Sequence, residues 1–323
     1  MFKAILRQLL YVAALILAVL VLNFLLIQLA PGDPAEVIAG EMGGANAEVM
    51  AAIREQYGLD KPVLTQLALY LGRALQGDLG TSYFYNRPVA ELILSRLGPT
   101  LLLVATALAF ALIIGTRLGM LASRNPRGIA SALVTVLSLV GYSAPVFWTG
   151  LMLVILFGAT IPLFPIAGMI DVVKQGGPLG RALDIAHHLV LPALTLGLVY
   201  LAQYSRLTRA AMLEVLGADY IRTARAKGVS ERQVFGRHAF RNALLPVVTV
   251  AGMQFGTIIS GAVLVETVFS WPGLGTLAFQ SILARDYPTV MGILFFSTLI
   301  VIIANLLTDF ISRLLDPRLA GGR

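Results

Sequence analysis

The amino-acid sequence predicts an all-α integral membrane protein with six transmembrane helices and both termini in the cytoplasm. Hydrophobic residues make up 58% of the 323 residues and charged residues only 13%, and the mean hydropathy is +0.83. A soluble core of this size cannot hide so much apolar surface. The net charge of +7 comes from basic residues in short segments beside apolar runs, which is typical of cytoplasmic loops rather than of nucleic-acid binding.

The six spans are predicted from length and apolar composition. Crossing a hydrocarbon core of about 30 Å as a helix takes about 20 predominantly apolar residues. The first stretch is too long for the apolar part of a cleavable signal peptide, so we expect it to be retained as a membrane helix. The predicted transmembrane helices are residues 9–29, 100–121, 130–157, 188–203, 245–265 and 288–307.

The third stretch decides the topology. The chain carries no charged residue from Gly128 to Ile170, which leaves room for one long helix or two short ones. Two helices would place the basic residues between Arg206 and Arg241 outside the cell, against the bias of lysine and arginine for the cytoplasmic side. We therefore predict one long helix over 130–157, followed by an irregular outer segment.

A polar segment at 35–98 separates the first two spans and is predicted to lie outside the cytoplasm. It mixes acidic and basic side chains. Apolar residues recur with helical spacing at 47–57 and at 63–75, and Gly58 and Gly77 follow as helix stops. The whole chain, residues 1–323, is predicted to be a single membrane domain.

The strongly basic loop at 206–244 carries helix signals in mid-chain. Asp219 is placed to cap a helix that begins at Tyr220, and Gly228 to end that helix in the left-handed conformation. Ser230 and Gln233 have the spacing of a capping box for a second helix that runs toward the next span. The sequence therefore predicts two short helices joined by an elbow on the cytoplasmic side.

Two partners for the first of these helices remain open on residue chemistry alone. Tyr220 and Ile221 can anchor the helix in a hydrophobic groove of another protein, and the small side chains of Ala224 and Ala226 allow close approach. Alternatively, the helix lies on anionic lipid with its arginines toward the headgroups. Binding to DNA is disfavoured because membrane spans hold both ends of the loop.

Few polar residues of the predicted spans are candidates for transport chemistry. Gln254 and Glu266, both on or next to the fifth span, are candidates for the translocation path, while interhelical hydrogen bonding and interfacial water are the alternatives. His187 and His188 are adjacent, so they point to different sides of a helix and favour a structural role over a metal site. No catalytic residue and no metal site are predicted.

The chain also lacks the means to hydrolyse ATP. None of its lysines is followed by serine or threonine, so it has no phosphate-binding loop of the G-x-x-x-x-G-K-[ST] type. Its energy source is therefore another chain or an ion gradient. An ion-coupled secondary transporter predicts acidic residues at the membrane midplane, whereas Glu266 and Asp309 both lie near span ends.

Four stretches together resemble a known family. Residues 219–228 read DYIRTARAKG and residues 237–246 read RHAFRNALLP, which resembles the EAA loop of ABC importer permeases, especially the dipeptide/oligopeptide/nickel branch. The resemblance extends to LAPGDP at 29–34, HLVLPA at 188–193 and FSWPGLG at 269–275. The chain departs from the general permease pattern at Arg222 and Thr223, where the name-giving Glu and the first Ala stand, and at Arg241, where many permeases have proline.

The resemblance implies a type I ABC importer permease fold in which the loop forms a coupling helix. That helix docks on a cytoplasmic ATP-hydrolysing subunit and transmits closure of the nucleotide sites to the membrane helices. The residues that the resemblance assigns to this interface are Asp219, Tyr220, Ile221, Arg222, Thr223, Ala224, Arg225, Ala226, Lys227 and Gly228.

The resemblance also implies the assembly and its location. The expected partners are a homologous second permease, two cytoplasmic ATP-binding subunits that carry ATP and Mg²⁺, an extracytoplasmic substrate-binding protein and membrane lipid, with no nucleic acid and no cofactor on this chain. The expected location is a bacterial cytoplasmic (inner) membrane, crossed several times. The implied cargo is a short peptide, with a nickel chelate, glutathione or an oligosaccharide as alternatives in the same branch.

Overall fold

The computed structural model describes residues 2–29, 50–51, 54–55, 60–171, 173 and 177–315. Within these ranges the regular structure is helical, apart from one isolated β-bridge between Thr81 and Pro88. Most of the predicted helix at 47–57, most of the LAPGDP stretch and the end of the C-terminal tail lie outside the described residues.

The helices have the following bounds. In chain order they are α1 (Phe2–Gln28), α2 (Val63–Leu75), α3 (Val89–Arg124), α4 (Ile129–Ser143), α5 (Val146–Val154) with a π-helical turn at Ile155–Thr160, α6 (Pro178–Leu216), α7 (Asp219–Ala226), α8 (Glu231–Gln233) with a π-helical turn at Val234–Ala239, α9 (Phe240–Val268), α10 (Leu274–Leu283) and α11 (Tyr287–Leu315).

Three helices of the described chain are long and apolar enough to cross a membrane. They are Val89–Arg124, Pro178–Leu216 and Tyr287–Thr308. A fourth span results if Glu231–Gln254 and Gly256–Val268, which meet at a bend of 58°, are taken as one. The apolar helices Leu10–Leu26 and Val146–Thr160 are shorter, so the count of six spans stays a prediction.

The predicted helix at 130–157 is wrong as a single element. The structure breaks it between Ser143 and Val146, because Pro145 has no N–H to continue the helix and restricts Ala144 to extended backbone. The carbonyl of Pro145 then accepts a hydrogen bond from Thr149 N at 3.0 Å and opens α5. The local effect of Pro145 thus interrupts the stretch for which the distribution of basic residues predicts one helix.

Four of the other predicted spans lie inside longer helices, and the first, at 9–29, ends one residue beyond α1. The span predicted at 100–121 belongs to α3, which begins at Val89 and continues through Pro99, and the span at 188–203 belongs to the 39-residue α6, which continues through Pro192. Prolines are tolerated in such helices where neighbours satisfy the freed carbonyls. Outside the spans, the helix predicted at 63–75 is confirmed as α2, and Gly77 follows it with φ +78°.

The chain divides into two compact units. The first comprises Met1–Gly98 and Thr276–Ile302. In it, Phe24 of α1 stacks on Tyr70 of α2 with ring centroids 6.1 Å apart. The buried carboxylate of Asp286 accepts hydrogen bonds from Ser82 Oγ at 2.5 Å, Thr289 Oγ1 at 2.6 Å and Tyr83 N at 3.1 Å, which fixes the loop after α2 to the start of α11.

The second unit comprises Pro99–Gly275 and Ile303–Arg323 and is built around α6. This helix packs against α4, α5 and α9. It also approaches α3 so closely that a Cβ added at Gly119 would lie 2.5 Å from the carbonyl oxygen of Ser205. Small residues permit this approach between membrane helices. All the candidate functional residues lie in this unit.

Candidate functional site

The basic loop folds into the predicted elbow, which comprises residues 219–239. Its first helix, α7, starts one residue earlier than the sequence indicates, because Ala218 is the capping residue and Asp219 is already helical. The N–H groups of Ile221 and Arg222 donate to the Ala218 carbonyl at 3.1 and 3.3 Å. The predicted cap by the Asp219 side chain is therefore wrong, although an acidic residue in the first turn still favours the helix dipole.

Gly228 ends this helix in the conformation that the sequence predicts. Its φ is +77°, which is costly for residues with a Cβ. The N–H of Gly228 donates to the carbonyl of Arg225 at 3.0 Å, and the N–H of Val229 donates to that of Ala224 at 3.2 Å. These bonds satisfy the last carbonyls of α7 and reverse the chain.

The second arm of the elbow starts at a Ser230 cap without the predicted capping box. The carbonyl of Ser230 accepts hydrogen bonds from Gln233 N and Val234 N, both at 2.9 Å, but its side chain makes no capping bond. The chain then stays helical from Glu231 through the π-helical turn into α9, which ends at Val268. One continuous helical segment therefore joins the elbow to the far end of α9.

An ion pair closes the elbow on its outer side. Arg225 Nε lies 2.7 Å from Glu231 Oε1, and Arg225 Nη2 lies 3.3 Å from Glu231 Oε2. The hydrogen bond to Glu231 raises the pKa of Arg225, and the same bond lowers the pKa of Glu231. Sequence reasoning missed this pair, because the two residues come together only through the left-handed turn at Gly228.

The inner side of the elbow is apolar. Ile221 is fully buried in a cluster with Ala211 and Met212 of α6, Val234 and Ala239 of the π-helical turn and Ala243 of α9. One of the two alternatives from residue chemistry has Ile221 anchoring a partner protein, whereas the structure turns this side chain inward. Ile221 is the buried residue of α7, so its packing attaches this helix to the ends of α6 and α9.

The outer side of α7 is exposed and carries most of its charge. Tyr220 is 44% exposed, and its hydroxyl accepts a hydrogen bond from Asn242 Nδ2 at 2.8 Å. Ala224 is partly buried. The exposed residues of the predicted interface are Asp219, Tyr220, Arg222, Thr223, Arg225, Ala226, Lys227 and Gly228. The elbow thus presents an exposed, mainly basic surface with one aromatic side chain.

Gln254 lies near the middle of α9, and Glu266 lies in its last turn. Gln254 is partly buried, and its Oε1 accepts a hydrogen bond from the Tyr204 hydroxyl at 2.9 Å. It stands beside the 58° bend of α9. Glu266 is fully buried, with Oε1 2.6 Å from Thr100 Oγ1. No pattern in the sequence indicates Thr100 as its partner.

The two adjacent histidines have separate structural contacts. His187 Nε2 lies 2.8 Å from the carbonyl oxygen of Leu163, and His188 Nδ1 lies 2.9 Å from that of Asp184. No group of three or more histidine, aspartate or glutamate side chains is arranged to hold a metal ion in the part of the chain that the structure describes. These contacts agree with the structural role that adjacency favours.

Comparison with known proteins gives two family matches that together span nearly the whole chain. Residues 115–321 match the binding-protein-dependent transport system inner membrane component, and residues 1–104 match the N-terminal membrane component of the same systems. The chain is 40% identical to the dipeptide transport system permease protein DppB of Escherichia coli, with 99% of each chain covered. It is 42% identical to the di/tripeptide permease DppB of Pseudomonas aeruginosa, with 93% and 94% covered.

Solved structures support the same fold at lower sequence identity. The MetNI methionine ABC transporter in an inward-facing conformation superposes with a TM-score of 0.54 at 19% identity, covering 70% of this chain and 96% of that one. An amino acid ABC transporter with histidines gives a TM-score of 0.52 at 15% identity, with 69% and 94% covered. The chain therefore belongs to the inner membrane components of binding-protein-dependent transport systems, the permeases of ABC importers.

Proposed function

We propose that the chain is the permease subunit of an ATP-driven importer of short peptides and forms half of the translocation path by alternating access. The named activity of its relatives, dipeptide and di/tripeptide transport at 40% and 42% identity, supports a peptide cargo. A nickel chelate, glutathione or an oligosaccharide is the alternative cargo. An ion-coupled mechanism is a less favoured alternative, since it predicts acidic residues at the membrane midplane, whereas Glu266 and Asp309 lie near span ends.

The exposed side of α7 is proposed as the surface that contacts the ATP-hydrolysing subunit. A helix that adsorbs to lipid needs an apolar face turned to the acyl chains. In α7 the aliphatic Ile221 is buried inside the protein, and Tyr220 is the large apolar side chain that stays exposed. A basic surface with one aromatic anchor favours a protein partner. This observation carries the proposal.

The remaining partners follow from the family. A second permease completes the path, two cytoplasmic subunits bind ATP and Mg²⁺, and an extracytoplasmic binding protein delivers the cargo. This chain binds no cofactor and catalyses no reaction in the proposed scheme. Gln254, held by Tyr204 beside the bend of α9, is the side chain that we propose for the path.

The proposed topology keeps six spans in a bacterial inner membrane. The helical segments at 9–29, 100–121, 130–157, 188–203, 245–265 and 288–307 cross it, with the third interrupted at Pro145. Residues 35–98 then lie outside and residues 206–244 lie in the cytoplasm, as the distribution of basic residues favours.

Labelling of single cysteines tests this topology directly, because the natural chain has no cysteine. Phe84 is 50% exposed and Arg222 is exposed on α7. We expect a membrane-impermeant maleimide added to intact spheroplasts to modify the variant Phe84→Cys and to spare Arg222→Cys until the membrane is opened. Labelling of Arg222→Cys from outside would contradict the proposed orientation.

Reconstitution tests the proposed function. The chain is co-expressed with the proposed second permease and the two ATP-binding subunits. The complex is purified by a tag on this chain and placed in liposomes with the binding protein. We expect ATP-dependent uptake of radiolabelled dialanine. If an unlabelled nickel chelate, glutathione or oligosaccharide lowers this uptake by competition, that compound is an alternative cargo. Uptake that follows an imposed proton or sodium gradient without ATP would sink the importer proposal.

Replacement of Gly228 tests the coupling surface. A Cβ added at Gly228 or at Gly236 meets no atom within 4 Å, but only Gly228 has a positive φ. Gly228→Ala therefore strains the turn by about 1–2 kcal/mol, while Gly236→Ala is its matched control. We expect Gly228→Ala to lower ATP-dependent uptake and the amount of co-purified ATP-hydrolysing subunit, with unchanged membrane insertion. Equal uptake by both variants would refute the assignment of the elbow.

A further inference from the structure

The far end of α9 carries a buried carboxylate outside the elbow. Glu266 lies in the last turn of the helix and is fully buried. Its Oε1 accepts a hydrogen bond from Thr100 Oγ1 at 2.6 Å, and its Oε2 accepts one from the N–H of Gly275 at 2.7 Å. The carboxylate therefore connects three elements, namely α9, α3 and the start of α10.

Thr100 extends the same connection. Its hydroxyl donates to Glu266 and also accepts a hydrogen bond from the N–H of Leu274 at 2.8 Å. Leu274 and Gly275 are the first residues of α10, and N–H groups in the first turn of a helix have no partner within it. Glu266 and Thr100 together supply those partners.

The turn between α9 and α10 is shaped around this carboxylate. A Cβ added at Gly273 would lie 2.1 Å from Glu266 Oε1, and one added at Gly275 would lie 2.9 Å from Glu266 Oε2 and 2.5 Å from Val263 Cα. The glycines of the FSWPGLG stretch are thus required for the carboxylate to reach its partners. The fully buried Trp271 adds a second tie to α3, because its Nε1 donates to the carbonyl of Pro99 at 3.0 Å.

These contacts sit at the opposite end of the helical segment that begins in the elbow. The segment runs from Glu231, which pairs with Arg225, to Glu266, with one bend of 58° after Gln254. The elbow and Glu266 thus lie at the two ends of one bent helical segment. Whether α3 and α10 move together with α9 depends on the side chains that connect them to the end of α9.

We propose that Glu266 is a positioning residue for transport, whose carboxylate makes the end of α9, the Thr100 region of α3 and the start of α10 move as one body. This inference rests on the proposed function. Glu266 acts through Thr100 and the Trp271–Gly275 turn and not by contact with cargo, since its carboxylate is completely enclosed by its own chain.

Three variants separate positioning from simple stability in the complete transporter. Thr100→Val removes the hydroxyl and keeps the shape of the side chain, whereas Thr100→Ser keeps the hydroxyl and is the matched control. Glu266→Gln replaces one of the two accepting oxygens by an NH2 group, so that two hydrogen-bond donors face each other at that position. Uptake of radiolabelled dialanine and ATP hydrolysis are measured on the same liposomes, and the readout is dipeptide moved per ATP hydrolysed.

We expect Thr100→Val and Glu266→Gln to lower that ratio by about tenfold, the change in relative rate that about 1.4 kcal/mol in a barrier produces, while ATP hydrolysis continues and Thr100→Ser behaves as wild type. A merely structural role lowers the yield of assembled transporter and leaves the ratio unchanged, which would overturn the inference. Failure of both variants to assemble would also overturn it, because the network would then serve folding.

The wild-type sample distinguishes this failure from failure of the proposed function. If wild-type liposomes show no ATP-dependent uptake of dialanine, the importer proposal itself has failed and the inference falls with it. If wild type transports and the ratio is the same in all three variants, only the role of Glu266 is refuted.

Discussion

The proposed coupling depends on the packing of the buried Ile221 side chain against neighbouring helices. A fully buried isoleucine contributes about 1.5–3 kcal/mol relative to an exposed one, and Ile221 makes its contacts with residues of α6, α9 and the π-helical turn. The short helix α7 is marginal on its own, since a helix of 8 residues is too short to be stable without packing. A partner that moves α7 therefore also moves the ends of two long helices.

A single helical segment connects the Ile221 cluster to the other end of the second unit. Two places along this segment matter for the proposed coupling. The first is the bend after Gln254, close to Gly252, where an added Cβ would lie 2.0 Å from Thr308 Cγ2 of α11. Glycines permit both the bend and this approach. The second is Glu266, whose hydrogen bonds to Thr100 and Gly275 fix the end of α9. We therefore propose that the loop at 219–228 and the glycine stretch at 269–275 belong to one mechanical connection.

The sequence predicted those features that depend on local backbone rules. The left-handed turn at Gly228, the extent of α2 and the helical character of the spans follow from glycine, proline and apolar spacing. The inward direction of Ile221, the Arg225–Glu231 pair and the partners of Glu266 depend on how distant segments meet, so one sequence carries no direct signal for them. The break at Pro145 was readable, but the distribution of basic residues drew the prediction toward one long helix.

The central claim is that the elbow and the start of α9 form one rigid body that a partner moves as a whole. A double variant with Thr223→Cys and Arg241→Cys carries two spin labels at exposed positions in a chain without natural cysteine. The distance between the two labels is measured across the Ile221 cluster. In the complete reconstituted transporter, we expect the same distance distribution without nucleotide and with ATP trapped. A second population or a shifted mean on ATP binding would contradict the account, because α7 would then move independently of the helices it is proposed to drive.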